Sequence, residues 1–116
     1  MASLLAQSVR ETLRETFPHT VIKEEFYAPY KSTKLYFDFF LPSLSIAVEV
    51  QGQQHFGFNK YFHGDANAYK QAKLRDSLKQ EWAQENEVTL VAVDFDEIPI
   101  SREGLLEKIR GIQQNG

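Results

Sequence analysis

Two alternating apolar segments, residues 34–41 and 45–51, constrain the fold most: Pro42-Ser43-Leu44 joins them, and only Asp38, Glu49 and Gln51 interrupt their interiors. Aromatic and β-branched residues at period two favour pleated strands, and so short a connection makes the pair an antiparallel hairpin. That period puts Glu49 and Gln51 on one face of their strand and Val48 and Val50 on the other, with Asp38 between Phe37 and Phe39 on the partner strand. If the connection is tight, Asp38 and Glu49 stand near the same level of the ladder. A solvated face is the commoner meaning of two strand carboxylates. Here Phe37, Phe39, Phe40, Ile46, Ala47, Val48 and Val50 make both strands look buried on both faces, where a lone carboxylate is costly. Two carboxylates in such a surround repel and raise each other's pKa unless a cation lies between them. Mg²⁺, which takes one or two carboxylates with water and phosphate oxygens, matches that ligand set.

The remaining elements follow from periodicity and punctuation. Residues 2–16 space Leu5, Val9, Leu13 and Phe17 as an amphipathic helix stopped by Pro18. Residues 21–27 read as a short strand, and 28–33, with Pro29, as a loop. Gly52 breaks the hairpin's second strand, and 53–64 is a long loop with two glycines and four aromatic residues. Asp65 can cap a helix over 66–85 with Gln71, Leu74, Leu78 and Trp82 on one face, closed by Asn86. Residues 88–94 form a last buried strand, Ser101 opens a short helix, and 113–116 fray. The order α-β-β-β-α-β-α predicts one α/β domain over residues 1–116, a small mixed sheet of about four strands flanked by helices.

The 116 residues carry 13 basic and 16 acidic side chains, a net charge of −3, which argues against coating nucleic acid through charge alone. The charge is uneven: five basic and six acidic residues over 1–59, five and two over 60–79, three and eight over 80–116. The chain has no cysteine, its N-terminal apolar run is too short for a signal peptide, and no stretch approaches the ~20 apolar residues of a membrane span. These predict a cytoplasmic protein that stays off the membrane.

The run Leu35-Tyr36-Phe37-Asp38-Phe39-Phe40-Leu41-Pro42, followed by Ile46-Ala47-Val48-Glu49-Val50-Gln51-Gly52-Gln53-Gln54-His55-Phe56, resembles the core of the PD-(D/E)xK nuclease superfamily. More narrowly it resembles the branch of very-short-patch repair and phage homing endonucleases. The likeness continues at Leu74-Arg75-Asp76-Ser77-Leu78-Lys79-Gln80-Glu81-Trp82 and at residues 89–93, and covers roughly 34–95. It implies a restriction-endonuclease-like fold in which Asp38, Glu49 and the Val50 carbonyl bind Mg²⁺, with Mn²⁺ as substitute. Gln51 stands where the family usually has lysine; an amide can orient a water but carries no charge. His55, with an ordinary pKa near 6.5, becomes the candidate proton carrier, and a structural role beside a glycine turn is its alternative. Asp76 matches a further acidic position that could orient His55. Where the branch tends to carry a first-helix glutamate this chain reads Leu5-Ala6-Gln7, and Glu11 and Glu15 stay unassigned. Phosphate contact is the functional reading of Lys31, Lys34, Lys60, Lys70, Lys73, Arg75 and Lys79, the last five of which surround the presumed site in sequence. A solvated helix face is the other reading of Lys70 and Lys73, whereas Arg75 projects close to the Leu78 and Trp82 face.

The resemblance therefore implies a metal-dependent endonuclease that hydrolyses DNA phosphodiester bonds in a bacterial or phage-infected cell. So small a catalytic core leaves little surface for reading sequence, which points to a homodimer or to nicking or structure-selective cleavage. Two rivals stand beside it. The RAP domain has a similar Glu-x-x-Gly-x-x-His stretch, which would make the chain an RNA-binding or RNA-cleaving module. A degenerate nuclease fold serving as a subunit is the other.

Overall fold

Ser3 starts the first helix by accepting the Ala6 N–H at 3.0 Å, and α1 runs Leu4–Thr16 in the computed structural model, which describes residues 3–52 and 66–115. Its Val9 and Leu13 are fully buried, and the Thr12 hydroxyl donates to the Ile100 carbonyl at 2.8 Å, tying the helix to the far end of the chain. Next come β1 (Lys23–Tyr30), β2 (Thr33–Leu41), β3 (Ile46–Gln51), α2 (Ala66–Glu85), β4 (Thr89–Asp94), a 3₁₀ turn at Phe95–Glu97 and α3 (Arg102–Asn115). The order matches the sequence reading, apart from the 3₁₀ turn. The strands form one mixed sheet in the order β1-β2-β3-β4, antiparallel except for the parallel β3–β4 pair, which needs a crossover such as the one through α2.

The first strand departs from the reading. It starts two residues later than 21 and continues through Ala28 and Pro29 to Tyr30, with Pro29 opposite Lys34. The expected loop shrinks to Lys31 and Ser32, both left-handed (φ 47° and 61°), the conformation of a two-residue hairpin turn. Because β1 lies at the edge of the sheet, its proline costs no ladder bond that a neighbour needs.

Helices cover both faces. On one, Val9 and Leu13 of α1 and Leu105 and Ile109 of α3 pack on Phe39, Leu41, Ile46, Val48, Val91 and Val93. On the other, Leu78 and Trp82 of α2 pack on Ala28, Leu35, Phe37, Phe40 and Ala47, with the Trp82 and Phe37 rings 4.9 Å apart. Phe37 and Phe39 thus enter different core clusters although they are two residues apart, so the period-two alternation of β2 slips at Asp38. The neighbouring strand shows the same break: the ladder pairs Glu24 with Phe39 and Phe26 with Phe37 but omits Glu25, whose φ is 47°. Irregularities of this kind re-aim the side chain at the break.

The predicted α2 stripe is only half used. Leu78 and Ala83 are its buried residues, while Leu74 is 58% exposed and the first three turns run past the core. The helix ends with Glu87, not Asn86, in the left-handed conformation (φ 54°), and the Val88 N–H donates to the Ala83 carbonyl at 2.8 Å. No helix among the described residues is long and apolar enough to cross a membrane.

Candidate active site

In β3 the pleat directs Val48 and Val50 into the α1–α3 side of the core and Glu49 and Gln51 toward α2, where both line a cavity of about 450 Å³. The β2–β3 ladder pairs Leu41 with Ile46, Phe40 with Ala47 and Phe39 with Val48; one further step would set Asp38 level with Glu49. Regular pairing stops there. Released by the slip at Asp38, its carboxylate accepts the Val50 N–H at 2.7 Å and holds the two strands together where the ladder ends.

Glu49 faces Lys79, which the sequence offers as a phosphate contact and not as a partner of the carboxylates. Lys79 Nζ donates to Glu49 Oε1 at 2.7 Å, both side chains are mostly buried (18% and 16% exposed), and the ammonium lies 5.4 Å from the Phe37 ring centroid. Burial pushes the Glu49 carboxyl up to about 7. Lys79 pulls it down through charge and hydrogen bond, and the neighbouring Asp38 adds to the rise. The result is two acids beside one lysine at the edge of a cavity, the environment in which carboxylates become reactive or bind cations.

The other expected site residues divide by position. Asp76, one turn before Lys79 on α2, lines the cavity with Gln51. Val50 enters through its N–H, given to Asp38. Lys31, at the hairpin turn, binds Glu81 of α2 at 2.8 Å, an exposed pair of little energetic weight. Lys34 is exposed on the hairpin, and Lys73 is exposed on the overhanging part of α2, 5.5 Å from the Tyr69 ring. Arg75 is exposed as well, not lodged against Leu78 and Trp82, because this part of the helix lies beyond the core. His55, Lys60, Asp65 and the expected loop 53–64 lie outside the described residues.

Lys79 was visible in sequence only as the last member of a basic run. The usable signal was its place with Asp76 and Ala83 at intervals of three and four, beside the Leu78 and Trp82 stripe, so that it borders the buried face. Which strand that border meets is a tertiary fact.

No family model matches the chain, and no solved structure matches it. Two viral proteins do. One, "Uncharacterized protein 033L" of Invertebrate iridescent virus 3, is 36% identical over 67 residues, 58% of this chain and 34% of that protein. The other, "Uncharacterized protein 307L" of Invertebrate iridescent virus 6, is 36% identical over 58 residues, 50% of this chain and 29% of its own length. The chain therefore spans about a third of the length of the curated relatives it matches.

Proposed function

We propose that the chain is a metal-dependent endonuclease domain of the PD-(D/E)xK type that hydrolyses DNA phosphodiester bonds at Asp38 and Glu49. One observation carries the reading: a buried carboxylate next to a second one, with Lys79 against it, at the edge of an open cavity. The donor set fits Mg²⁺, or Mn²⁺ in its place, because two neighbouring carboxylates, of which Glu49 lines a cavity that admits water and phosphate, meet its preference without further protein side chains. Asp38 and Glu49 would hold the ion, with the Val50 carbonyl as a third ligand, and when bound it would supply positive charge to a phosphoryl group that grows more negative during attack.

The chain's own groups have distinct tasks. Lys79 supplies from α2 the charge that Gln51 lacks on β3, so the neutral amide does not disable the site. Gln51 orients a water in the cavity, and His55 is proposed to carry a proton. Lys34, Lys73 and Arg75 grip the backbone of the substrate. Incubating the purified protein with supercoiled plasmid, single-stranded DNA and RNA in Mg²⁺, Mn²⁺ or EDTA tests this directly. Nicking or cutting of DNA that EDTA stops is the expected result. Cleavage that persists in EDTA overturns the metal-dependent reading, and cleavage confined to RNA, or binding without any cleavage, overturns it in favour of the rivals.

Two further outcomes follow from the same site. Mg²⁺ should raise the melting temperature of the wild type by several degrees and that of Glu49→Gln by much less, since a ligand of the native state alone shifts unfolding by mass action. Equal gains would place the ion elsewhere. Lys73→Glu with Arg75→Glu should weaken binding to unrelated DNA sequences alike and flatten the plot of log K against log salt by about one unit per lost phosphate contact. An effect confined to one sequence would instead make these base-reading residues.

A further inference from the structure

The cavity beside Glu49 extends well past the carboxylates. Leu90 and Ala92 of β4 form its floor, and Ala83 of α2 and Ile112 of α3 stand on either side. A second hollow of about 430 Å³, edged by Glu107 and Lys108 of α3, shares Leu90, Ala92 and Ile112 with it, so the two form one trough along the β4 edge of the sheet. The first hollow alone, about 450 Å³, lies within the roughly 300–1,000 Å³ of small-ligand pockets.

The lining is graded. In the first hollow Glu49, Asp76 and Lys79 gather at one end with Gln51, and away from them its polar groups are the carboxamides of Gln80 and Gln84 above aliphatic side chains. Aliphatic walls suit the faces of a flat ring, and a carboxamide offers both donor and acceptor to a ring edge without asking for charge. A polyanionic backbone belongs at the charged end; the amide and aliphatic end suits what hangs from that backbone.

Resting on the phosphodiesterase reading above, we propose that this trough takes one unpaired nucleobase of a DNA strand whose adjoining phosphodiester lies at Asp38 and Glu49. In a duplex the base has its faces stacked and its edge paired, and extruding it costs a few kcal/mol, least at single-stranded, mismatched or flapped positions. The substrate class is therefore DNA with an unpaired nucleotide at the cleavage point, and selection is by structure rather than by sequence.

Binding in EDTA separates this inference from the chemistry. Fluorescence anisotropy of a labelled single-stranded oligonucleotide and of the same sequence as a blunt duplex is measured for wild type, for Gln80→Ala with Gln84→Ala, and for Ala92→Phe, which fills the floor. Wild type should prefer the single strand. Each variant should lose about tenfold in single-strand affinity, the scale of one or two lost hydrogen bonds to a base edge or of a blocked floor, and the preference should shrink with it. Gln80 and Gln84 are exposed, so the double variant decides if Ala92→Phe fails to fold. Equal binding of both DNAs by wild type, or a preference that survives in the double variant, overturns the inference. A protein that prefers unpaired DNA and cuts nothing in Mg²⁺ refutes the nuclease reading alone. One that cuts duplex DNA with no such preference refutes the base pocket alone.

Discussion

Lys79→Met should destabilise the protein by about 2–4 kcal/mol at pH 8 and by under about 1 kcal/mol at pH 5, somewhat below the cost of breaking a fully buried ion pair because both partners keep some solvent. In the wild type the folded-state pKa of Glu49, about 7, lies above its ordinary value of 4.5. Between those values the native protein holds a proton that the unfolded chain has released. This group's contribution to stability therefore falls as pH rises from about 4.5 to about 7 and is level on either side. Removing Lys79 deletes both influences that pull the pKa down, so it moves above 7 and the window of loss extends to higher pH. Protonation at pH 5 removes the repulsion between Glu49 and Asp38, and Mg²⁺ at pH 8 should offset much of it. Urea melts of both proteins at the two pH values, with and without Mg²⁺, read all of this. An equal loss at pH 5 and pH 8 would reduce Lys79 to a packing residue over Phe37.

Asp38→Asn and Glu49→Gln should each lower the rate of Mg²⁺-dependent DNA cleavage by about 10³-fold or more while leaving DNA binding in EDTA close to wild type. Charge stabilisation at a preorganised site acts on the transition state more than on the bound substrate, and losing a single such contact elsewhere costs about 10²–10³. Both changes nearly keep shape. In Asp38→Asn the new amide oxygen can still accept the Val50 N–H, so the strand junction survives and folding does not confuse the comparison. Single-turnover cleavage beside anisotropy binding separates the effects. Variants that cut at the wild-type rate would show that the carboxylates serve the fold and not a reaction.

The β2–β3 hairpin, the order of the elements and the three polar groups inside an apolar ladder were legible in the sequence, because alternation and helical spacing are local signals. So was the closeness of Asp38 to Glu49, because the tight connection at Pro42-Ser43-Leu44 fixes the register. The extension of β1 through Pro29 was not, since whether a proline ends a strand depends on whether a neighbour needs its N–H, and only the assembled sheet makes β1 an edge. The slip at Asp38 was hidden for a related reason. A strict period of two sends Phe37 and Phe39 to the same face, and it is the competing demands of α1 and α2 on opposite faces that divide them. The helix pattern likewise offered Leu74 and Arg75 to the core, although the sheet is too short to reach them. Local pattern was enough to say which residues carry charge into the apolar hairpin. Which cation answers them depended on how the elements pack, because Lys79 lies 30 residues from Glu49 and only the crossing of α2 over β3 brings the two to 2.7 Å.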